Sequence, residues 1–184
     1  MYLDRTISHN GHESIIEKNN DIGRFDRKLD DPLEKCDDYS DIFELVKKVV
    51  KSTTKMYRVG LMLVLADLPI AVGAYHALGT NTIVMNRVLI RRFESKNPKY
   101  KKEFTFLVLL HEYLHTLGYT DEAKVRALSY RIVAEYFGED HPLSEIAERG
   151  PFSILPKSKY QINGSEGYPE LVKDFEKLNQ KYIQ

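Results

Sequence analysis

The first 38 residues are polar and turn-rich, with stretches such as NGHES, KNNDIG and LDDPLEK and only scattered apolar side chains that could not close a core alone. No periodic apolar face develops there, so 1–38 reads as a polar arm. The pattern changes at Ser40. Ile42, Phe43, Val46, Val49 and Val50 recur at helical spacing behind Asp and Ser residues suited to an N-cap, which predicts an amphipathic helix. VGLMLVLADLP then runs apolar as far as Pro69, the signature of a buried strand. In IAVGAYHALGTNTIVMN, Gly73 and Gly79 separate two further strand-like segments, so a small three-stranded sheet is expected.

Asn86 suits the cap of a short helix reaching Phe93, and ESKNPKYKKE is a loop broken at Pro98. Two helices follow, about Lys102 to Leu117 and Asp121 to Phe137, separated by Gly118. GPFSILPKSKYQINGSEGYP is a connection rich in Gly, Pro and Ser. Beyond it, Leu171, Phe175, Leu178 and Tyr182 would share one face of a terminal helix. The expected fold is α+β in three parts: the arm 1–38, a compact domain 39–150, and a linker with a C-terminal amphipathic helix over 151–184.

Charge narrows the function classes. Lys plus Arg and Asp plus Glu number 27 each, so no overall field recruits nucleic acid or an anionic membrane. The local basic run Arg87, Arg91, Arg92, Lys96, Lys99, Lys101 and Lys102 is expected to be a solvated helix and loop. Cys36 is the only cysteine, which excludes an intrachain disulfide and suggests a reducing compartment. The opening MYLDRTISHNGHES has no signal-peptide core and no apolar run reaches membrane-spanning length, so the expected location is the cytoplasm.

The chemistry concentrates in FTFLVLLHEYLHTLGYTDE, residues 104–122. His111 and His115 are four apart on a strongly helical pattern, so both imidazoles leave one face and can grip one ion. Glu112 lies beside them, placed to deprotonate a water that the metal activates for attack on a carbonyl; this is the zincin arrangement. An accidental HExxH in such a chain has a probability on the order of one in a hundred. Two histidines closing so apolar a helix would be costly without a partner, and a hydrogen-bonded core pair would not explain Glu112.

A catalytic zinc needs a third protein ligand, and three acids compete. Gly118 suits the left-handed residue that ends a helix, so the chain can reverse at GYT and bring the start of the next helix back toward the histidines. Glu122 sits there and is favoured. Asp121 fits a tight turn but is also a ready N-cap. Glu135 is 20 residues after His115, a distance that an intact helix turns into roughly 20 Å. Three side chains are candidate donors to a tetrahedral oxyanion: His76, Tyr119 and His141. The polar Thr80, Asn81 and Thr82 at the start of GTNTIVMN suit an edge strand that an extended peptide can join.

HEYLHTLGYTDEAKVR, the downstream FGEDHP and the upstream GTNTIVMNRVL resemble the minigluzincins, the selecase-like group of very small zinc metallopeptidases, over roughly Tyr57 to Pro142. The resemblance implies a reduced core: a short sheet, an active-site helix bearing His111, Glu112 and His115, and an antiparallel glutamate helix whose Glu122 completes the site of one zinc ion. It also implies latency, with a C-terminal segment or self-association, here residues 165–184, blocking the cleft. The leading expectation is therefore a zinc metalloendopeptidase acting on peptides or proteins, with Glu112 as the catalytic base. The alternative is a metal-binding interaction or sensor module with little turnover, suggested by the apolar face of the tail.

Overall fold

The computed structural model describes residues 31–155 and 167–176. Helix α1 (Tyr39–Thr54) opens on Asp38, whose carboxylate accepts from the Asp41 amide, and ends at Lys55 in the left-handed region. Its buried stripe is Ile42, Phe43, Leu45, Val46, Val49 and Val50, the helical face expected from the sequence with Leu45 added. The strands are β1 (Met62–Ala66), β2 (Ala74–His76), β3 (Thr82–Asn86) and the two-residue β4 (Glu170–Leu171). They form one mixed sheet in the order β2-β3-β1-β4, with β1 and β3 parallel and both outer pairings antiparallel.

Four further α-helices, α2 (Arg87–Lys96), α3 (Lys101–Thr116), α4 (Glu122–Phe137) and α5 (Pro142–Arg149), and two short 3-10 helices, Pro98–Tyr100 and Pro151–Ile154, complete the described chain. The fold is α+β. Helix α3 runs through the core, with Phe104, Phe106, Leu109, Leu110, Tyr113 and Leu114 fully buried. Among the described residues no helix is long and apolar enough to cross a membrane.

Several expectations change. Among the described residues the sheet has four strands rather than three, because the tail returns to pair with β1: Leu65 lies opposite Glu170, and the Val172 amide donates to the Leu63 carbonyl at 2.9 Å. The terminal helix is not seen over 167–176, where strand and turn take its place; Leu178 and Tyr182 lie outside the described residues. Leu171 is exposed while Phe175 is buried and stacked on Phe43 with ring centroids 4.3 Å apart, so the two do not share a buried face. GTNTIVMN is not an edge either. Its strand, β3, lies between β1 and β2 with Ile83 and Met85 fully buried, and its polar start belongs to the β2–β3 turn. Among the described residues, the free edge beside α3 is β2.

The arm boundary also moves, since Leu33 and Cys36 are buried in the main core; residues 1–30 lie outside the described residues. Helix α5 was not expected from the sequence. It starts with Pro142 behind His141, whose Nδ1 accepts from the Leu143 amide, and histidine is not a residue that ordinarily signals a cap.

One polar cluster ties α3 to the sheet and another shapes the β1–β2 loop. The Tyr113 hydroxyl accepts from the Arg58 amide at 2.7 Å and donates to the Arg58 carbonyl at 3.1 Å. The Arg58 guanidinium donates to the Thr116 carbonyl at the end of α3, and to Thr80 and Asn81 in the β2–β3 turn. Asn86, also buried, caps α2 through its side-chain oxygen and donates to the carbonyls of Leu68, Pro69 and Val72, shaping the β1–β2 loop. Tyr113→Phe strands both backbone groups of Arg58 in a half-buried position and is expected to cost about 1–2 kcal/mol in urea denaturation. Unchanged stability would mean that water replaces the hydroxyl.

Candidate metal centre

Helix α3 ends in a complete Schellman turn. The Gly118 amide donates to the His115 carbonyl at 3.0 Å, the Tyr119 amide donates to the Leu114 carbonyl at 3.3 Å, and Gly118 has φ +97°. Asp121 then caps α4, its carboxylate accepting from the Lys124 amide. The two local signals together reverse the chain within five residues, Leu117 to Asp121, and set the first residue of α4, Glu122, against the last turn of α3.

Glu122 reaches both histidines. One carboxylate oxygen lies 3.2 Å from His111 Nε2 and the other 3.2 Å from His115 Nε2, while the two Nε2 atoms are 3.1 Å apart. Donors bound at about 2.0–2.1 Å around a tetrahedral ion lie roughly 3.3–3.4 Å from one another, so the spacing suits a small divalent cation. His115 Nδ1 lies 2.7 Å from the Tyr119 carbonyl. A carbonyl only accepts, so Nδ1 carries the proton and Nε2 presents its lone pair to the cluster. Lone pairs this close call for a proton or a cation between them. His111, His115 and Glu122 thus form a group that could hold a metal ion.

Electrostatics point the same way. Burial lowers the pKa of His111, as do the nearby charges of His115 and Arg126, against the pull of Glu122; a neutral imidazole is the ligating form. Glu112 is only 7% exposed, and burial pushes its carboxyl up to about 7 despite His115 and a hydrogen bond from the His76 amide; the charge on Glu122 adds to the rise.

The other two acids go elsewhere. Asp121 is the N-cap, and Glu135, near the far end of α4, accepts from Thr53 Oγ1 at 2.8 Å and faces Arg131. Among the three oxyanion candidates, His76 lines the site, with its Nδ1 3.0 Å from the Thr82 carbonyl. Tyr119 contributes its carbonyl to His115 and turns its hydroxyl to Met56. His141 is not brought to the site; its Nε2 pairs with Asp31 at 3.2 Å.

Two hollows flank the group and share Ala74, Glu112 and Glu122. The larger, about 710 Å³, is walled by Val72 and Gly73 of the β1–β2 loop, by α3 and α4, and by Phe152, with Arg126 and Tyr130 from α4. The smaller, about 230 Å³, is bounded by Tyr75, His76, Leu78 and Thr120. The sequence reading missed Arg126, Tyr130 and Phe152. Arg126 and Tyr130 had a local signal, since they fall four and eight residues after Glu122 and therefore on the same helical face. No family model, curated protein or solved structure matches the chain.

Proposed function

We propose that the protein is a zinc-dependent metallopeptidase of the HExxH type, in keeping with its resemblance to the minigluzincins. The observation that carries this reading is the buried Glu112 carboxylate set beside the His111, His115 and Glu122 group where two hollows meet. A core histidine pair would leave a buried acid without purpose, at a cost in desolvation.

His111, His115 and Glu122 would hold the ion, with Tyr119 orienting His115 through its carbonyl. Zinc bound there supplies Lewis-acid chemistry, acidifying a water and polarising the scissile carbonyl. Glu112 accepts the proton of the attacking water and returns it to the leaving amine. The outer edge of β2 offers main-chain groups to an extended peptide, which places residues on either side of the cleaved bond toward the two hollows. A cytoplasmic location, suggested by the lone Cys36, belongs to the same proposal.

The test is zinc content per chain, together with casein cleavage, for the wild type and for Glu122→Ala, Asp121→Ala and Glu135→Ala purified without added metal. Wild type should hold about one zinc, and Glu122→Ala should lose it. Glu135→Ala should keep the ion, as should Asp121→Ala, which should instead lower the melting temperature through the lost cap. Absence of zinc from wild type would sink the proposal.

A further inference from the structure

The larger hollow has uneven ionic chemistry. Arg126 lines it from α4, one turn beyond Glu122 and on the same face. The Glu122 oxygens are engaged by His111 and His115. Among the described residues no hydrogen bond or ion pair engages the Arg126 guanidinium, although its charge is felt at His111. The other charged side chains of this hollow outside the metal group are the buried Glu112 and two sequence neighbours on α5, Glu148 and Arg149, of which Arg149 pairs with Glu145 at 2.9 Å. Arg126, exposed on α4, is left as the uncommitted cation beside apolar walls, where a seated peptide would exclude water and strengthen a charge pairing.

Building on the peptidase reading, we propose that Arg126 determines specificity by binding a substrate carboxylate carried within about one residue of the cleaved bond. Distance sets that limit. One helical turn separates Arg126 from Glu122 by about 5–6 Å along the axis, whereas an extended peptide advances about 3.3 Å per residue. A carboxylate on the Arg126 fork therefore belongs to a residue flanking the reacting carbonyl. It has two sources, an Asp or Glu side chain or the C-terminal carboxylate of a short substrate, and the planar guanidinium can take either bidentately.

The experiment measures affinity by fluorescence anisotropy, using the full-length Glu112→Gln chain so that peptides are held without turnover. One labelled peptide series carries an internal Glu with an amidated end, its Gln counterpart, a Lys counterpart, and the Gln peptide cut short to a free C-terminal carboxylate. Zinc content is read on the same samples. At least one carboxylate peptide should bind about tenfold more tightly than the amidated Gln peptide. Which carboxylate gains identifies the source. Adding Arg126→Ala should erase the preference, and Arg126→Glu should transfer it to the Lys peptide. Equal affinity for all four peptides, no binding by any of them, or a preference that survives Arg126→Ala would overturn the assignment. A zinc-free chain would instead count against the peptidase reading, so the two failures are separable.

Discussion

Glu112→Gln should abolish peptide hydrolysis by a factor of about 10²–10⁴ while leaving zinc content unchanged. The substitution keeps the shape of a side chain that is 7% exposed and removes only its ability to exchange a proton. The ion is held by other groups, His111, His115 and Glu122, so the metal should stay. Stability should hold or rise. The carboxyl is pushed up to about 7 mainly by burial, which means that its charged form is disfavoured by the fold, and a neutral amide escapes that cost. Loss of turnover therefore cannot be blamed on unfolding if melting is measured on the same samples. Hydrolysis at the wild-type rate would remove Glu112 as the base and leave the His–His–Glu group as a binding site only.

What could be read from the sequence is what the chain settles locally. HEYLH lies within one helix, where a spacing of four puts both imidazoles on one face. Gly118 and Asp121 are turn and cap residues whose effects act within a few positions, so the approach of Glu122 to the histidines follows from residues 114–124 alone. The sheet order is a different matter. Leu65 opposite Glu170 is a pairing across more than 100 residues, and no period or turn signal announces it. The same holds for the basic run. Arg87 and Arg92 are buried rather than solvated, because α2 turns them inward, and at Arg87 the partner is Asp67 of the β1–β2 loop. The hollow beside the site is assembled from four separate stretches, around Val72, Val108, Arg126 and Phe152. Its existence is a tertiary fact, and so is the isolation of Arg126.

The tail shows how much such a tertiary fact can weigh. At 167–171 it is held by Arg87, whose Nε donates to Asp67 at 2.8 Å and whose Nη1 donates to the Tyr168 carbonyl at 3.1 Å, with Glu170 at 3.8 Å. A Cβ on Gly167 would collide with that guanidinium, so the tail backbone lies directly on it. Five residues later Glu176 accepts from the amides of Gly60 and Leu61 and from Lys47, while Phe175 fills the core against Phe43. This stretch covers the β1 edge, at the opposite side of the sheet from β2 and the cleft. Arg87→Ala takes the guanidinium away from a buried carboxylate and unfastens β4, and it should cost about 3–5 kcal/mol in urea denaturation. The paired replacement Arg87→Met with Asp67→Leu removes both charges and should recover much of that loss. Amide exchange at Val172 should accelerate in Arg87→Ala, since its bond to Leu63 depends on the same pairing. Zinc content of the folded fraction should not change, because nothing in this clasp touches His111, His115 or Glu122. If Arg87→Ala proved as stable as wild type, the clasp would not hold the tail. If it instead raised activity without loss of stability, the tail would be acting on the cleft as the minigluzincin resemblance implies, rather than bracing the far edge of the sheet.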